Sequence, residues 1–362
     1  MLTRLRHPAF VTLLVMAAYC SVAVWQAGGD PLALARLGTR YSEGDPAGSE
    51  GYDGQFVYYI ARDLSPEGVT PFLDTPAYRY QRILLPLSAR LLSFGSAAAL
   101  PWVLAGIGLA AQTIGTALLA NLFDRFGINR WYALIYGLWI GFLLAVRLDL
   151  PEPLAFLLVL AGAEVIERRP FLAWVFFGLA VFAKEVVLIF IVAQLLADLR
   201  SGRPLRAIGL ASITLLPFVV FQFWLKAQFG TFGIGSGGAN ATPFEAIPFM
   251  GWLRIAQAGW GVFLVYSIIY LPFLYLPGLR ALICGGQRLL KPAPSLWTGA
   301  LFLHGVLLLF LPFSTVRETG GMLRFACGLI LAVLAEAAIR GDAQTLRLSR
   351  LWLVLGAFIF NG

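Results

Sequence analysis

The chain has 362 residues, of which 59% are hydrophobic and only 13% charged, against about one quarter charged in a soluble domain. That composition excludes a water-soluble enzyme and leaves a single transmembrane domain over 1–362, with no room for a separate soluble one. The net charge of +8 comes from basic residues scattered in short groups between apolar runs, so they read as orientation signals and as attraction to anionic headgroups, not as a nucleic-acid stripe.

Residues 1–27 open with Arg4, Arg6 and His7 before a long apolar run without a small-x-small cleavage site, which reads as a retained anchor helix. Residues 28–98 follow as a long polar first loop on the far side of the membrane. Within it, GYDGQFVYYIARD places Phe56, Tyr59 and Ile60 on one side, so a short helix is expected to start near Asp53. Residues 82–94 place Ile83, Leu84, Leu87, Leu91 and Phe94 on one side at helical spacing, the pattern of a helix lying in the headgroup plane.

Further apolar spans are expected at about 99–123, 131–147, 152–167, 171–183, 186–199, 206–227, 259–279, 298–313, 321–339 and 350–361. With the first helix they make an all-α polytopic membrane protein of about eleven transmembrane helices. Two of the spans are short and meet at Lys184-Glu185, a charged break that predicts two helices whose ends meet at one membrane face. With the N-terminus cytoplasmic, the inner segments collect 15 of the 27 basic residues, and six of the remainder fall in the long first loop, where the positive-inside rule counts less. The expected location is therefore a cell inner (plasma) membrane, multi-pass, with 28–98 on the periplasmic or extracellular side.

The glycine-rich run Gly233-Ile-Gly235-Ser-Gly237-Gly238 satisfies a dinucleotide pattern, but no strand precedes it, and it reads better as a flexible outer loop over a site. Cys20, Cys284 and Cys327 have no close spacing and His7 and His304 are far apart in sequence, so neither a disulfide framework nor a metal centre is indicated.

Asp53 is the group with a chemical part to play. A carboxylate at a helix start is favoured in its ionised form and can take a proton from a bound hydroxyl; the alternative is a plain N-cap. Arg79, Arg82, Lys184, Arg317 and Arg324 all fall on the outer side or just inside it, and guanidinium groups match phosphate oxygens bidentately. Arg324, inside an apolar segment, most needs a partner. Asp149 and Glu152, in RLDLPEPL, are candidate partners for Arg147 or a substrate.

GYDGQFVYYIARD, PAYRYQRILLPLSARLL, RLDLPEPLAF, AKEVVLIF and GGMLRFACGLIL together resemble bacterial GT-C type glycosyltransferases, distantly similar to the GPI-mannosyltransferase group. The resemblance implies membrane-parallel helices in the first external loop, a polyprenyl-phosphate-linked sugar donor and a saccharide, lipid or protein acceptor. It makes Asp53 the base, gives the donor phosphate to Arg79, Arg82, Arg324 and Lys184, and gives the acceptor or sugar to Tyr52, Gln55, Gln81 and Glu152. The first loop has no Asp-x-Asp or Glu-x-Asp pair near Asp53, so no divalent metal or other cofactor is expected. Two other readings stand beside it. A transporter or flippase of lipid-linked saccharides uses the same cations without a base, and a non-catalytic envelope-assembly protein uses these charges as caps and ion pairs.

Overall fold

The structure, a computed structural model, describes residues 7–361, with side chains up to residue 357. Among the described residues it is all-helical and contains no strand. The first helix, α1 (Pro8–Gln26), opens with proline at its first position, and His7 accepts the Ala9 N–H, a combination suited to a helix start. The polar stretch after it folds into short pieces, of which α2 (Gly54–Arg62), α3 (Pro76–Tyr80) and α4 (Leu84–Leu92) matter for the site. Then come α5 (Leu100–Arg125), α6 (Ile140–Arg147), α7 (Glu152–Val165), α8 (Pro170–Ala183), α9 (Leu188–Arg200) and α10 (Pro204–Phe229). The last part holds α11 (Trp260–Tyr270), α12 (Leu276–Leu289), α13 (Leu296–Leu309), α14 (Thr319–Phe325), α15 (Cys327–Arg340) and α16 (Ala343–Ser349).

Helical structure occupies every run where a span was expected, but the segments differ in reach. Among the described residues five helices are long and apolar enough to cross a membrane: Pro8–Gln26, Leu100–Arg125, Pro204–Phe229, Trp260–Leu289 and Thr319–Arg340. The 14-residue helices Pro170–Ala183 and Leu296–Leu309 reach about 21 Å at 1.5 Å per residue, short of about 30 Å of hydrocarbon. The run 131–147 is split at Leu138-Trp139, between Ala133–Gly137 and Ile140–Arg147. Length and apolarity thus give five candidate spans among the described residues, and the count of eleven is not confirmed by them. The break at Lys184 is present: its backbone is extended, and one 3-10 turn (Glu185–Val187) separates α8 from α9.

The chain forms two compact units. The first contains the described residues up to Leu118 with Phe142–Val187 and Ser212–Ala239; the second contains Leu119–Gly141, Leu188–Ala211 and the described residues from Asn240 onward. In the first unit, Phe56, Tyr59 and Ile60 on α2 face inward as their spacing requires, packing with Val69, Leu73, Tyr80, Leu85 and Leu104. Arg90 of α4 donates to the Ala61 and Arg62 carbonyls, which satisfies the end of α2 and complements its dipole. The apolar stripe expected over 82–94 is divided. Leu85 and Ala89 are buried, whereas Leu91, Leu92 and Phe94 are exposed, Phe94 at 96%. Of the expected stripe only Leu91 and Phe94 face outward; Ile83, Leu84 and Leu87 are half-buried, and Ile83 packs on the same core.

In the second unit α15 belongs to the most enclosed span, Thr319–Arg340, with 89% of its apolar window buried. Helices α12 and α13 approach until backbones touch: a Cβ on Gly285 would lie 2.9 Å from the Phe302 nitrogen, and one on Gly305 2.7 Å from that of Leu282. Small residues permit such contact where lipid offers no hydrophobic drive. Between α11 and α12 the helix widens into one π turn, Leu271–Tyr275. Pro277 has no N–H to give the Phe273 carbonyl, and the Trp352 indole donates to it instead at 2.8 Å.

Candidate functional site

The start of α2 is fixed by contact. A Cβ on Gly54 would lie 2.1 Å from the Leu148 carbonyl oxygen, so only glycine lets the helix begin there, and Tyr52 packs beside it on Ala145, Leu148 and Leu150. Asp53 occupies the N-cap position but makes no side-chain capping bond. Its carboxylate accepts from Arg79 Nη1 at 2.9 Å, with 30% of the side chain exposed. The plain N-cap reading is therefore replaced by an ion pair.

Arg79 is held from two sides. Asp74 receives its Nε at 2.7 Å and its Nη2 at 2.8 Å, a bidentate fork, and the guanidinium lies 4.3 Å from the Phe56 ring centre. Burial pushes the Asp74 carboxyl up, but the bonds and charge of Arg79, with the N–H groups of Ala239 and Thr75, outweigh it and leave it below the usual range. Asp74 thus takes Nε and Nη2 of Arg79, and Asp53 takes Nη1.

The glycine-rich run lies directly over this pair. Ala239 N–H donates to Asp74 Oδ2 at 3.1 Å, and a Cβ on Gly238 would lie 2.9 Å from Arg79 Nη2. Within residues 233–239 it is at Gly238 that space over Arg79 decides, since a Cβ there would press on the guanidinium, whereas one on Gly235 would meet nothing within 4 Å.

Arg82 donates Nε and Nη2 to the two oxygens of Glu185 at 2.9 and 2.5 Å, and Nη2 to the Tyr78 hydroxyl at 2.6 Å. Burial works against the charge on Glu185, but the nearby Arg82 guanidinium wins and its carboxyl falls to about 2. Lys184 donates to Glu152, which is fully buried. Four carboxylates and three cations from sites up to 132 residues apart in sequence, Asp53 to Glu185, thus converge in the first unit.

Other candidates have different surroundings. Gln55 is 1% exposed; its oxygen accepts the Gly38 N–H and its amide donates to the Glu50 carbonyl. Gln81 is equally buried and accepts from Gln222 at 3.3 Å. With Glu152 locked to Lys184, these three offer a sugar no surface in this conformation, whereas Tyr52 stays half-buried beside Asp53. Arg147 donates to the Ala33 carbonyl, not to Asp149 or Glu152 as expected. Asp149 is 3% exposed, with neither oxygen hydrogen-bonded, and burial raises its carboxyl well above the usual range despite Arg147. Arg324 belongs to the second unit, where it is 7% exposed, donates to the Gly320 carbonyl and lies 3.6 Å from Glu318.

Sequence reasoning did not identify Asp74, Tyr78 or Glu185. Asp74, five residues before Arg79, was within reach of a local search; Glu185, 103 residues from Arg82, was not. Among the described residues no cluster of three or more His, Cys, Asp and Glu suits a metal ion. No family model, curated protein or solved structure matches the chain.

Proposed function

We propose that this membrane protein is a glycosyltransferase that moves a sugar from a polyprenyl-phosphate donor to an acceptor hydroxyl on the non-cytoplasmic face, with inversion and with Asp53 as general base. The observation that carries the reading is Asp53 itself: a carboxylate at a fixed helix start, partly open, on a guanidinium already gripped from behind by Asp74.

In the proposed step the acceptor oxygen attacks the anomeric carbon as the bond from that carbon to the donor phosphate oxygen breaks. The proton passes to Asp53 and the electron pair to the phosphate. A phosphate leaves without a general acid when cations meet its developing charge, unlike a glycosidic leaving group. Arg79 is the first such cation. A donor phosphate competes with Asp53 for Nη1, so donor binding frees the base at the moment it is needed. Arg82 and Lys184 stand behind it, each held by its own carboxylate. Tyr52 is assigned to the acceptor side. The eleven crossings, the cytoplasmic N-terminus and the GT-C arrangement belong to the same proposal, supported by the charge distribution and by helices at every expected run.

The test is the lipid that copurifies, read by mass spectrometry. An isoprenoid phosphate bearing a sugar is the expected result. A preparation free of isoprenoid that still transfers sugar from a nucleotide donor overturns the donor assignment.

One observation favours a second reading. Each of the three cations already has a carboxylate partner, as a non-catalytic protein would arrange to lock its external segment. The two readings part at Asp53, whose removal leaves the lock intact but stops transfer.

A further inference from the structure

The second unit contains a cavity of about 250 Å³ beside the π turn, outside the ion-pair cluster of the first unit. Its wall is apolar, including Phe273, Leu276, Leu301 and Val333, and its polar end carries Arg280, Arg288, Glu336, Asp342 and Thr345. Sites for whole drug-sized ligands run about 300–1,000 Å³, so the cavity suits one end of a longer molecule. Its rim is apolar and open: Leu276, Leu348 and Leu351 are 58%, 52% and 57% exposed. In a chain with membrane-spanning helices, a molecule entering past such a rim comes from the bilayer.

The polar end has a surplus of positive charge. Glu336, 1% exposed, is enclosed by Arg288 at 3.3 Å, Arg340 at 3.1 Å and the hydroxyls of Ser295 and Thr298. Asp342 is taken by the Thr345 N–H and hydroxyl at 3.0 and 2.7 Å. Arg280 is only loosely paired, 3.5 Å from Asp342 and 3.1 Å from the Thr345 hydroxyl, with 46% of its side chain exposed. The lining itself balances Arg280 and Arg288 against Glu336 and Asp342; Arg340, outside the lining, also pairs with Glu336 and brings the cluster to one net positive charge, and Arg280 has guanidinium N–H donors to spare. A phosphodiester carries one negative charge.

We propose that this cavity binds a glycerophospholipid, with its phosphodiester on Arg280 and the first methylenes of its chains against Phe273, Leu276 and Leu301. The occupant is a bilayer lipid, neither a free phosphate nor an uncharged amphiphile, and the proposal does not depend on the transferase reading.

Cys284 lines the cavity and is only half-buried, whereas Cys20 and Cys327 are buried, so its thiol reports occupancy. The full chain, purified and delipidated in an uncharged alkyl maltoside, is treated with a maleimide, and labelling of Cys284 is followed by peptide mass spectrometry. Short-chain phosphatidylglycerol at ten times its half-protecting concentration is expected to slow labelling about tenfold. Glycerol phosphate and further maltoside are expected to leave the rate unchanged. Arg280→Gln should lose the protection while keeping the lipid-free rate, and Arg280→Lys should regain most of it. Protection by glycerol phosphate alone would identify a free-phosphate site. Equal protection by maltoside, undiminished protection in Arg280→Gln, or a Cys284 that does not label without lipid would each overturn the proposal.

Discussion

Asp53 and Glu336 are both carboxylates bound by arginine, yet they differ in what surrounds them. Glu336, 1% exposed, is met by two guanidinium groups and two hydroxyls. Asp53 keeps 30% of its side chain in the open and shares its arginine with a better-placed acid. A buried carboxylate enclosed by donors holds a fold together. An open one whose partner has a second hold can release that partner without collapse, which is the condition for a group that must take up a proton.

The difference is breakable by substitution. Glu336→Ala leaves Arg288 and Arg340 without their shared anion and should destabilise by about 3–5 kcal/mol, as removal of one partner from a buried pair does; thermal unfolding in detergent measures it. Asp53→Asn should cost under about 1 kcal/mol in the same assay, because exposed pairs contribute little and Asp74 still holds Arg79. Equal losses at the two positions would erase the distinction.

Glu185 provides an intermediate case. Arg82→Ala should destabilise by about 3 kcal/mol, the low end for a buried pair. The pair also sets a pH dependence. The Glu185 carboxyl titrates at about 2 in the folded protein, below its ordinary 4.5. Its contribution is therefore fully present above about 4.5 and is lost as pH falls toward 2. Glu185→Gln should flatten that acid limb of stability against pH, while leaving the region between pH 5 and 8 unchanged in slope.

The smallest effect on transfer is expected at the loop over Arg79. A methyl at Gly238 would sit 2.9 Å from Arg79 Nη2. Gly238→Ala should shift the guanidinium slightly and lower transfer by about tenfold, equivalent to about 1.4 kcal/mol in the barrier, with little change in unfolding temperature. An unchanged rate would mean that the loop has no bearing on Arg79.

Local features were legible in the sequence. The start of α2, the inward face of Phe56, Tyr59 and Ile60 and the break at Lys184 follow from neighbours within a few residues, whereas the glycine run reaches Asp74 across 165 residues. What was hidden depends on distant partners or on which way a face turns. Glu185 reaches Arg82 across 103 residues, and nothing in its neighbourhood distinguishes it from a solvated acid beside a lysine. The stripe Leu84, Leu87, Leu91 and Phe94 was visible as a stripe, but periodicity alone does not say whether it meets protein or lipid. Gln55 was given to the sugar by the resemblance alone; its tertiary role, joining Gly38 to Glu50, required the loop to be folded. The run 131–147 was expected as one helix because hydropathy continues through Leu138-Trp139, where the helix does not.

The central claim concerns the open carboxylate, and the most direct measurement is single-turnover sugar transfer by Asp53→Asn at saturating polyprenyl-phosphate sugar, with donor binding recorded on the same preparation. Loss of a general base predicts a fall of about 10²–10⁴ in the transfer rate, with donor affinity retained or increased because Arg79 no longer has a charged competitor. Transfer at the wild-type rate would contradict the account, and so would a loss of donor binding that by itself explains the fall.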